Sequence, residues 1–282
     1  MEEKAVEVVE VAGIRIGGDS PLVIIAGPCV IEDMHHALRH AWALQKLSMS
    51  MGVPVIYKSS FDKANRSSLH SYRGPGIEDG LEILNAVKQE TGLPVTTDVH
   101  TQEQAGLAAE VVDLLQVPAF LCRQTSLLVA AAKTGKPVNV KKGQFMSPWD
   151  TKNIVEKIRA TAGPGKCLLT ERGTSFGYNN LVVDFRSIPV MRSSGVPVVF
   201  DGTHSVQLPG AGTGGTSTGG QREFVPFLVL AAAAVGMDAL FLEVHEDPDN
   251  APCDGPNMLC LEDFPGLVEK ALVVRNALKS MP

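Results

Sequence analysis

The 282-residue sequence predicts an α/β protein folded as a single (β/α)8 barrel, the TIM-barrel architecture, with a β-hairpin ahead of it. Three observations predict it. Short, apolar, β-branched runs alternate with amphipathic stretches eight times along the chain, the pattern of a parallel sheet covered by helices. The length suits a closed barrel, which takes about 250 residues, better than an open doubly wound sheet. Polar and ionisable side chains gather just past the apolar runs and are almost absent within them, as expected where one end of a barrel carries chemistry.

Residues 1–20 hold the alternating segment Val6–Ile16, with Ala12-Gly13 as its turn. It reads as a hairpin that plugs the N-terminal mouth of a catalytic barrel spanning residues 21–282. The first strand is Leu22–Ala26, and the helix after it, Met34–Met51, sets Leu38, Trp42, Leu44 and Leu47 near one face. Val53–Lys58 is the second strand, followed by Glu78–Thr91 with Leu81, Leu84 and Val87 aligned. The third unit is Pro94–Thr97 with Gln102–Glu110, the fourth Val112–Gln116 with Ser126–Thr134, and the fifth Pro137–Val140 with Pro148–Ala160. Cys167–Glu171 is the sixth strand, and Leu181–Ser194 after it has the weakest helical pattern. Val196–Phe200 precedes a helix over Gln221–Ala234, and Ala239–Glu243 with Leu261–Ser280 completes the series. Between the seventh strand and its helix lies Gly210–Gly220. It lacks the Lys-Ser/Thr ending of a P-loop and does not follow its strand directly, so it reads as a flexible active-site loop.

Composition removes several function classes. Hydrophobic residues make up 44% and charged residues 20%, enough for a full core and too apolar for disorder. Lys and Arg number 25 against 31 Asp and Glu, a net charge of −6, which argues against a nucleic-acid binder. The longest apolar run, Phe227 to Gly236, is roughly half a membrane span. No basic segment followed by an apolar one marks the start of the chain. The five cysteines are scattered and odd in number, so we expect free thiols in a reducing cytoplasm, and no membrane partner.

The strand ends supply the candidate site. Lys58, Lys63, Arg66, Arg123, Lys141 and Arg172 would surround one mouth of a net-acidic protein. Gathering like charges is costly without an anion, so this set points to phosphorylated substrates, probed by Arg for bidentate contacts and Lys for point charge. Cys29, His204, Glu243 and Asp254 each lie at or just past a strand end, and thiolate, imidazole and carboxylates suit a divalent Zn, Fe or Mn ion. His245 is a further ligand or a supporting partner. The remaining cysteines read as core or incidental. Lys58 or Lys141 inside a barrel mouth also allows Schiff-base chemistry.

The segments Ala26-Gly27-Pro28-Cys29, Lys58 to Ser68, Thr97-Asp98-Val99-His100, Gln116 to Thr125, Lys141 to Phe145, Phe176 to Asp184, Phe200 to Ser205 and Cys253-Asp254-Gly255-Pro256 together resemble the 3-deoxy-D-manno-octulosonate 8-phosphate synthases, from Leu22 to about Pro282. The Phe61-Asp62-Lys63-Ala64-Asn65-Arg66-Ser67-Ser68 run is the most specific of these and separates that family from the related heptulosonate and sialic-acid synthases. The resemblance implies a (β/α)8 barrel, usually a homotetramer, that condenses phosphoenolpyruvate with D-arabinose 5-phosphate and water for the lipopolysaccharide inner core. It implies that Lys58, Lys63, Lys141 and Arg172 hold phosphoenolpyruvate with Ser60, Gln116 and Ala119 nearby. It further implies that Asn65, Arg66 and Ser67 hold the sugar phosphate, that Asp98 and Gln207 lie near its hydroxyls, and that Arg123 reaches into a neighbouring subunit's site. His204, Asp254, Lys63 and Asp98 are the candidate catalytic residues. Cys29 matches the metal-requiring members, whereas Cys253 to Pro256 resembles the form of the metal-independent ones. Cys29 is the direct ligand type, so a divalent metal is the expectation.

Three other readings stay open on sequence. A heptulosonate 7-phosphate synthase would use a shorter aldose phosphate. A Schiff-base aldolase would form a Lys adduct. A non-catalytic phosphosugar-binding barrel would turn nothing over.

Overall fold

The computed structural model describes residues 5–65, 68–69, 71–211 and 218–279. The hairpin is present as β1 (Val9–Val11) and β2 (Ile14–Ile16), paired antiparallel about Ala12 and Gly13, both at positive φ. The chain then runs through β3 (Val23–Gly27), α1 (Met34–Met51), β4 (Val55–Lys58), α2 (Ile77–Thr91), β5 (Val95–Asp98), α3 (Gln102–Ala109), β6 (Leu114–Val117), α4 (Thr125–Lys133), β7 (Val138–Lys141), α5 (Lys152–Ala162) and β8 (Cys167–Glu171). Two short strands, β9 (Thr174–Ser175) and β10 (Leu181–Val182), precede α6 (Ser187–Arg192) and β11 (Val198–Asp201). A second small ribbon, β12 (Gln207–Leu208) with β13 (Gly219–Gly220), precedes α7 (Val225–Val235), β14 (Ala239–His245), β15 (Leu259–Cys260) and α8 (Phe264–Lys279).

Strands β3 to β8, β11 and β14 are parallel and follow one another around the sheet in chain order, and the pairing of β11 with β14 closes it. All eight expected strands are therefore present, each within a few residues of its expected bounds. The weak stretch after the sixth strand has a physical cause. The chain spends Leu181–Val182 on the β9–β10 ribbon, so only Ser187–Arg192 remains for a helix.

Alternation sorts the strand residues into two cores. One set, including Ile24, Tyr57, Leu115, Val140, Leu169, Phe200 and Leu242, packs outward against the helices. The other, Val23, Ile25, Ile56, Leu114, Leu168, Val199, Ala239 and Phe241, faces inward and packs with Val9, Val11 and Ile16 of the hairpin. The hairpin thus plugs the barrel as expected, and Phe241 is the largest side chain of that inner cluster. The strand interiors are less apolar than the sequence suggests. Thr96, Asn139 and Thr170 form a buried middle layer, where the Thr170 hydroxyl donates to Asn139 Oδ1 at 2.6 Å and Asn139 Nδ2 donates to Gln116 Oε1 at 3.4 Å. This polar layer lies between the apolar plug and the charged mouth and reaches the mouth through Gln116.

If the hairpin seals the barrel, Ile16→Ala will destabilise the protein by about 2–5 kcal/mol, because its fully buried side chain has no room to be replaced by water. Denaturant midpoints of the two chains measure this, and a loss below about 1 kcal/mol would show that the hairpin is only a loose cover.

Candidate active site

Several barrel strands end with an inward residue of the polar mouth. The period-two alternation that sends Ile56, Leu114, Val199 and Phe241 into the lower core sends Lys58, Gln116, Asp201 and Glu243 into the barrel two residues later. Lys58, Lys63, Asn65, Asp98, Gln116, Ala119, Lys141, Arg172, His204, Gln207, Glu243 and Asp254 all line one cavity of about 360 Å³, a size that suits small-molecule ligands. Lys63 and Asn65 sit on the loop after β4, which is pinned where Lys63 N–H donates to Arg73 O at 2.7 Å and Arg73 forks onto Asp62.

The cations at this mouth are mostly paired, which changes the argument from charge crowding. Lys58 Nζ donates to Cys29 O at 3.1 Å, Ser60 Oγ at 2.9 Å and Glu243 Oε1 at 3.1 Å. Its three protons are thereby engaged within the protein, and Lys58 ties the Cys29 loop to Glu243. Ser60 lies behind the cavity and donates to Asp98 Oδ1 at 2.5 Å. Lys63 Nζ is 3.7 Å from Glu243 Oε1, and Lys141 Nζ is 2.6 Å from Asp201 Oδ2 while lying 3.6 Å above the Phe241 ring. Arg172 differs. Among the described residues no carboxylate lies within ion-pairing reach of its guanidinium, Nη2 donates to Gln207 Oε1, and the buried Nη1 has no hydrogen-bond partner.

These contacts set the protonation states. Burial opposes the charge on Asp98, yet Lys58, His100 and Lys63 hold it well below the usual carboxylate range. Burial likewise opposes Glu243 and Asp201, and His204 with the lysines overrides it and holds both low. Burial pulls Lys141 down, with Asp201 opposing, whereas Lys63 is pushed up against burial by Cys29, Glu243, Cys253 and Asp98. Burial also lowers Arg172.

The four expected metal ligands fall into two triads that share Asp254. His204, Glu243 and Asp254 have ligand atoms within 4.8 Å of one another, and so do Cys29, Cys253 and Asp254. His204 Nε2 is 3.7 Å from Glu243 Oε2, too long for a hydrogen bond, and Glu243 Oε2 is buried without one. Cys29 Sγ donates to Asp254 Oδ2 at 3.3 Å. Asp254 itself sits at a φ of 48°, a conformation in which Asp is among the few tolerated non-glycine residues. An orphaned carboxylate oxygen beside imidazole, carboxylate and thiols fits a divalent ion.

Two sequence expectations change, those for Cys253 and His245. Cys253 is not incidental, since it lines the cavity beside Cys29. His245 turns away from the cavity, where its Nε2 meets Glu32 Oε1 at 2.8 Å and His36 Nε2 at 3.1 Å. Arg123 is exposed on a separate depression with Gln102, Ser126 and Lys133, outside its own chain's cavity. Arg66 and Ser67, and most of the Gly-rich segment, lie outside the described residues. Sequence reasoning gave no role to Asp201, which bonds Lys141 and lies 2.8 Å from His204 Nδ1, or to His100, whose Nε2 is 3.2 Å from Asp98 Oδ2. The signals were available as the Asp201–His204 and Asp98–His100 spacings at adjoining strand ends.

Comparison with known proteins adds the family. Residues 3–278 match the DAHP synthetase I family. A 2-dehydro-3-deoxyphosphooctonate aldolase of Geobacter sp. strain M21 is 58% identical over 262 residues, 93% of this chain and 95% of that one. The same-named proteins of Trichlorobacter lovleyi, 58% identical over 92% of this chain and 94% of its own, and of Geobacter sulfurreducens, 57% identical over 93% and 95%, agree. The chain belongs to the 2-dehydro-3-deoxyphosphooctonate aldolase family. These are the octulosonate 8-phosphate synthases that the sequence resembles, and the heptulosonate synthases are relatives at the level of the wider family alone.

The Asp98–His100 pair yields a pH prediction. Burial opposes the charge on His100 and Asp98 outweighs it, so the His100 pKa is raised on folding. A raised histidine contributes stability that is complete below about pH 6.5 and is lost as pH rises through the higher folded value. The difference in Tm between the native chain and His100→Gln will therefore be larger at pH 6 than at pH 9. An unchanged difference would mean that the pair contributes nothing as an ion pair.

Proposed function

We propose that this chain condenses phosphoenolpyruvate with D-arabinose 5-phosphate and water to give 3-deoxy-D-manno-octulosonate 8-phosphate and phosphate, a transferase step feeding the lipopolysaccharide inner core. The observation that carries the reading is Arg172, a buried guanidinium that lines the cavity and keeps one donor unused where the other cations are already paired. Such a group is stable only if an anion completes it in the working state. The shared name of relatives at 57–58% identity supports the product.

On this reading phosphoenolpyruvate lies deep in the barrel, its anionic groups against Arg172, Lys63 and Lys141, with Gln116 and Ala119 beside it. Asn65, with Arg66 and Ser67 of the same loop, takes the sugar phosphate, and Asp98 and Gln207 take its hydroxyls. The enol carbon then forms a bond to the sugar aldehyde carbon. Water adds to the phosphate-bearing carbon as positive charge develops there, and the C–O bond to the phosphate then breaks as the new hydroxyl becomes the keto group and its proton leaves on the phosphate. His204, anchored by Asp201 at 2.8 Å, and Asp254 move the two protons: one onto the aldehyde oxygen, one off the water. Cys29, His204, Glu243 and Asp254 would hold a divalent metal, which supplies carbonyl polarisation and substrate orientation when bound. A Schiff base is disfavoured because Lys58 and Lys141 are both committed to carboxylates.

The assembly we propose is a homotetramer in which Arg123 completes a neighbouring site. Its support is the exposure of Arg123 together with the exposed aromatic side chains of Phe120, Phe145, Trp149, Phe176 and Tyr178. A cytoplasmic setting is supported by the five free thiols, and among the described residues no helix is long and apolar enough to cross a membrane.

Two measurements test this. Phosphate release from phosphoenolpyruvate will require arabinose 5-phosphate, will fall after chelation and will return with Mn²⁺, Fe²⁺ or Zn²⁺. Release with erythrose 4-phosphate instead would point to the heptulosonate reaction, and indifference to chelation would remove the metal. Arg172→Gln will raise the KM for phosphoenolpyruvate by about 10–100-fold, the worth of a charged hydrogen bond, with a smaller effect on the sugar. An unchanged KM would sink the assignment of Arg172.

A further inference from the structure

The metal ligands expected above do not include Cys253, which precedes Asp254 and packs beside Cys29. Cys253 and Cys29 are both buried, pack in one small cluster with Val30 and Met258, and bring their sulfurs and an Asp254 oxygen within 4.8 Å of one another. Cys253 also lines the cavity, so an ion entering the mouth reaches it directly. The two sulfurs are not an apolar packing pair. Cys29 already donates to the Asp254 carboxylate at 3.3 Å. A dication between the sulfurs is the partner that compensates two thiolates in so dry a place.

We propose, resting on the metal reading above, that Cys253 is a further ligand, so that the ion sits between two thiolates and the Asp254 carboxylate. His204 and Glu243, the other triad, lie on the far side of Asp254. The site then belongs to thiophilic ions. Zn²⁺ and Cd²⁺ bind it in preference to Mn²⁺, because paired thiolates are soft donors. Binding releases both thiol protons, leaving two metal–sulfur bonds and no change of oxidation state. The combination of Cys29 with a Cys253-Asp254 loop, which looks inconsistent as a sequence marker, becomes one coordinating unit.

The test uses the full chain, stripped with chelator and reloaded with Co²⁺, whose thiolate charge-transfer absorption in the near ultraviolet scales with the number of sulfur ligands. Cys253→Ser will retain bound Co²⁺ but lose about half of that absorption, Cys29→Ser will lose a similar share, and the double variant will lose all of it. Full absorption in Cys253→Ser overturns the inference while leaving the metal reading intact. Failure of the native chain to bind Co²⁺ at all overturns both. Should Cys253→Ser not fold, the native chain decides the matter. Alkylation mapped by mass spectrometry, with and without Cd²⁺, will show Cys29 and Cys253 protected together, and protection of Cys29 alone refutes the proposal.

Discussion

The structure depends on keeping a cluster of buried charges neutral at the top of a closed barrel. Lys58, Lys63 and Lys141 face Asp98, Asp201 and Glu243 at 2.6 to 3.7 Å, and Asp201 and Glu243 are almost wholly buried. Removing either partner would strand a charge in a place where it cannot be hydrated, at a cost of about 3–5 kcal/mol. The network therefore fixes side chains that line the cavity. Lys58 has no freedom left, Lys141 is held between a carboxylate and the Phe241 ring, and His204 is aimed by Asp201. A preorganised set of this kind needs no rearrangement when charge develops in the reaction.

Against that balanced background the unbalanced groups stand out. Arg172 has an unused donor and Glu243 an unused acceptor, and they line the same cavity. One asks for an anion and the other for a cation. A site that takes a phosphorylated substrate beside a metal satisfies both, and the net charge of the chain carries no trace of either request.

Much of this was legible in the sequence, and the limits have physical causes. The barrel followed from periodicity, because strands covered by helices must be apolar on one face and the mouth must be polar. The hairpin's role as plug followed from its alternation. Eleven of the residues expected to bind substrate or act in catalysis do converge on one cavity, since most sit at or just past the end of a barrel strand. Pairing was not legible. Which lysine is spent on which carboxylate depends on the register between strands distant in sequence, as for Lys141 and Asp201, sixty residues apart. Nor was the approach of Cys253 to Cys29, made by a loop between β14 and β15 that has no periodicity to read.

The plugged end of the barrel also governs traffic. With Val9, Val11 and Ile16 packed into its base, and Phe241 joining that plug to the floor beneath Lys141, the described chain forms a blind well with a single rim. Two substrates, a water molecule and two products must share that rim. The reactant that binds deepest has to arrive before the one above it, and the product below has to wait for its neighbour to go. A well of this shape imposes a queue, so the order of events is written into the architecture before any side chain does chemistry.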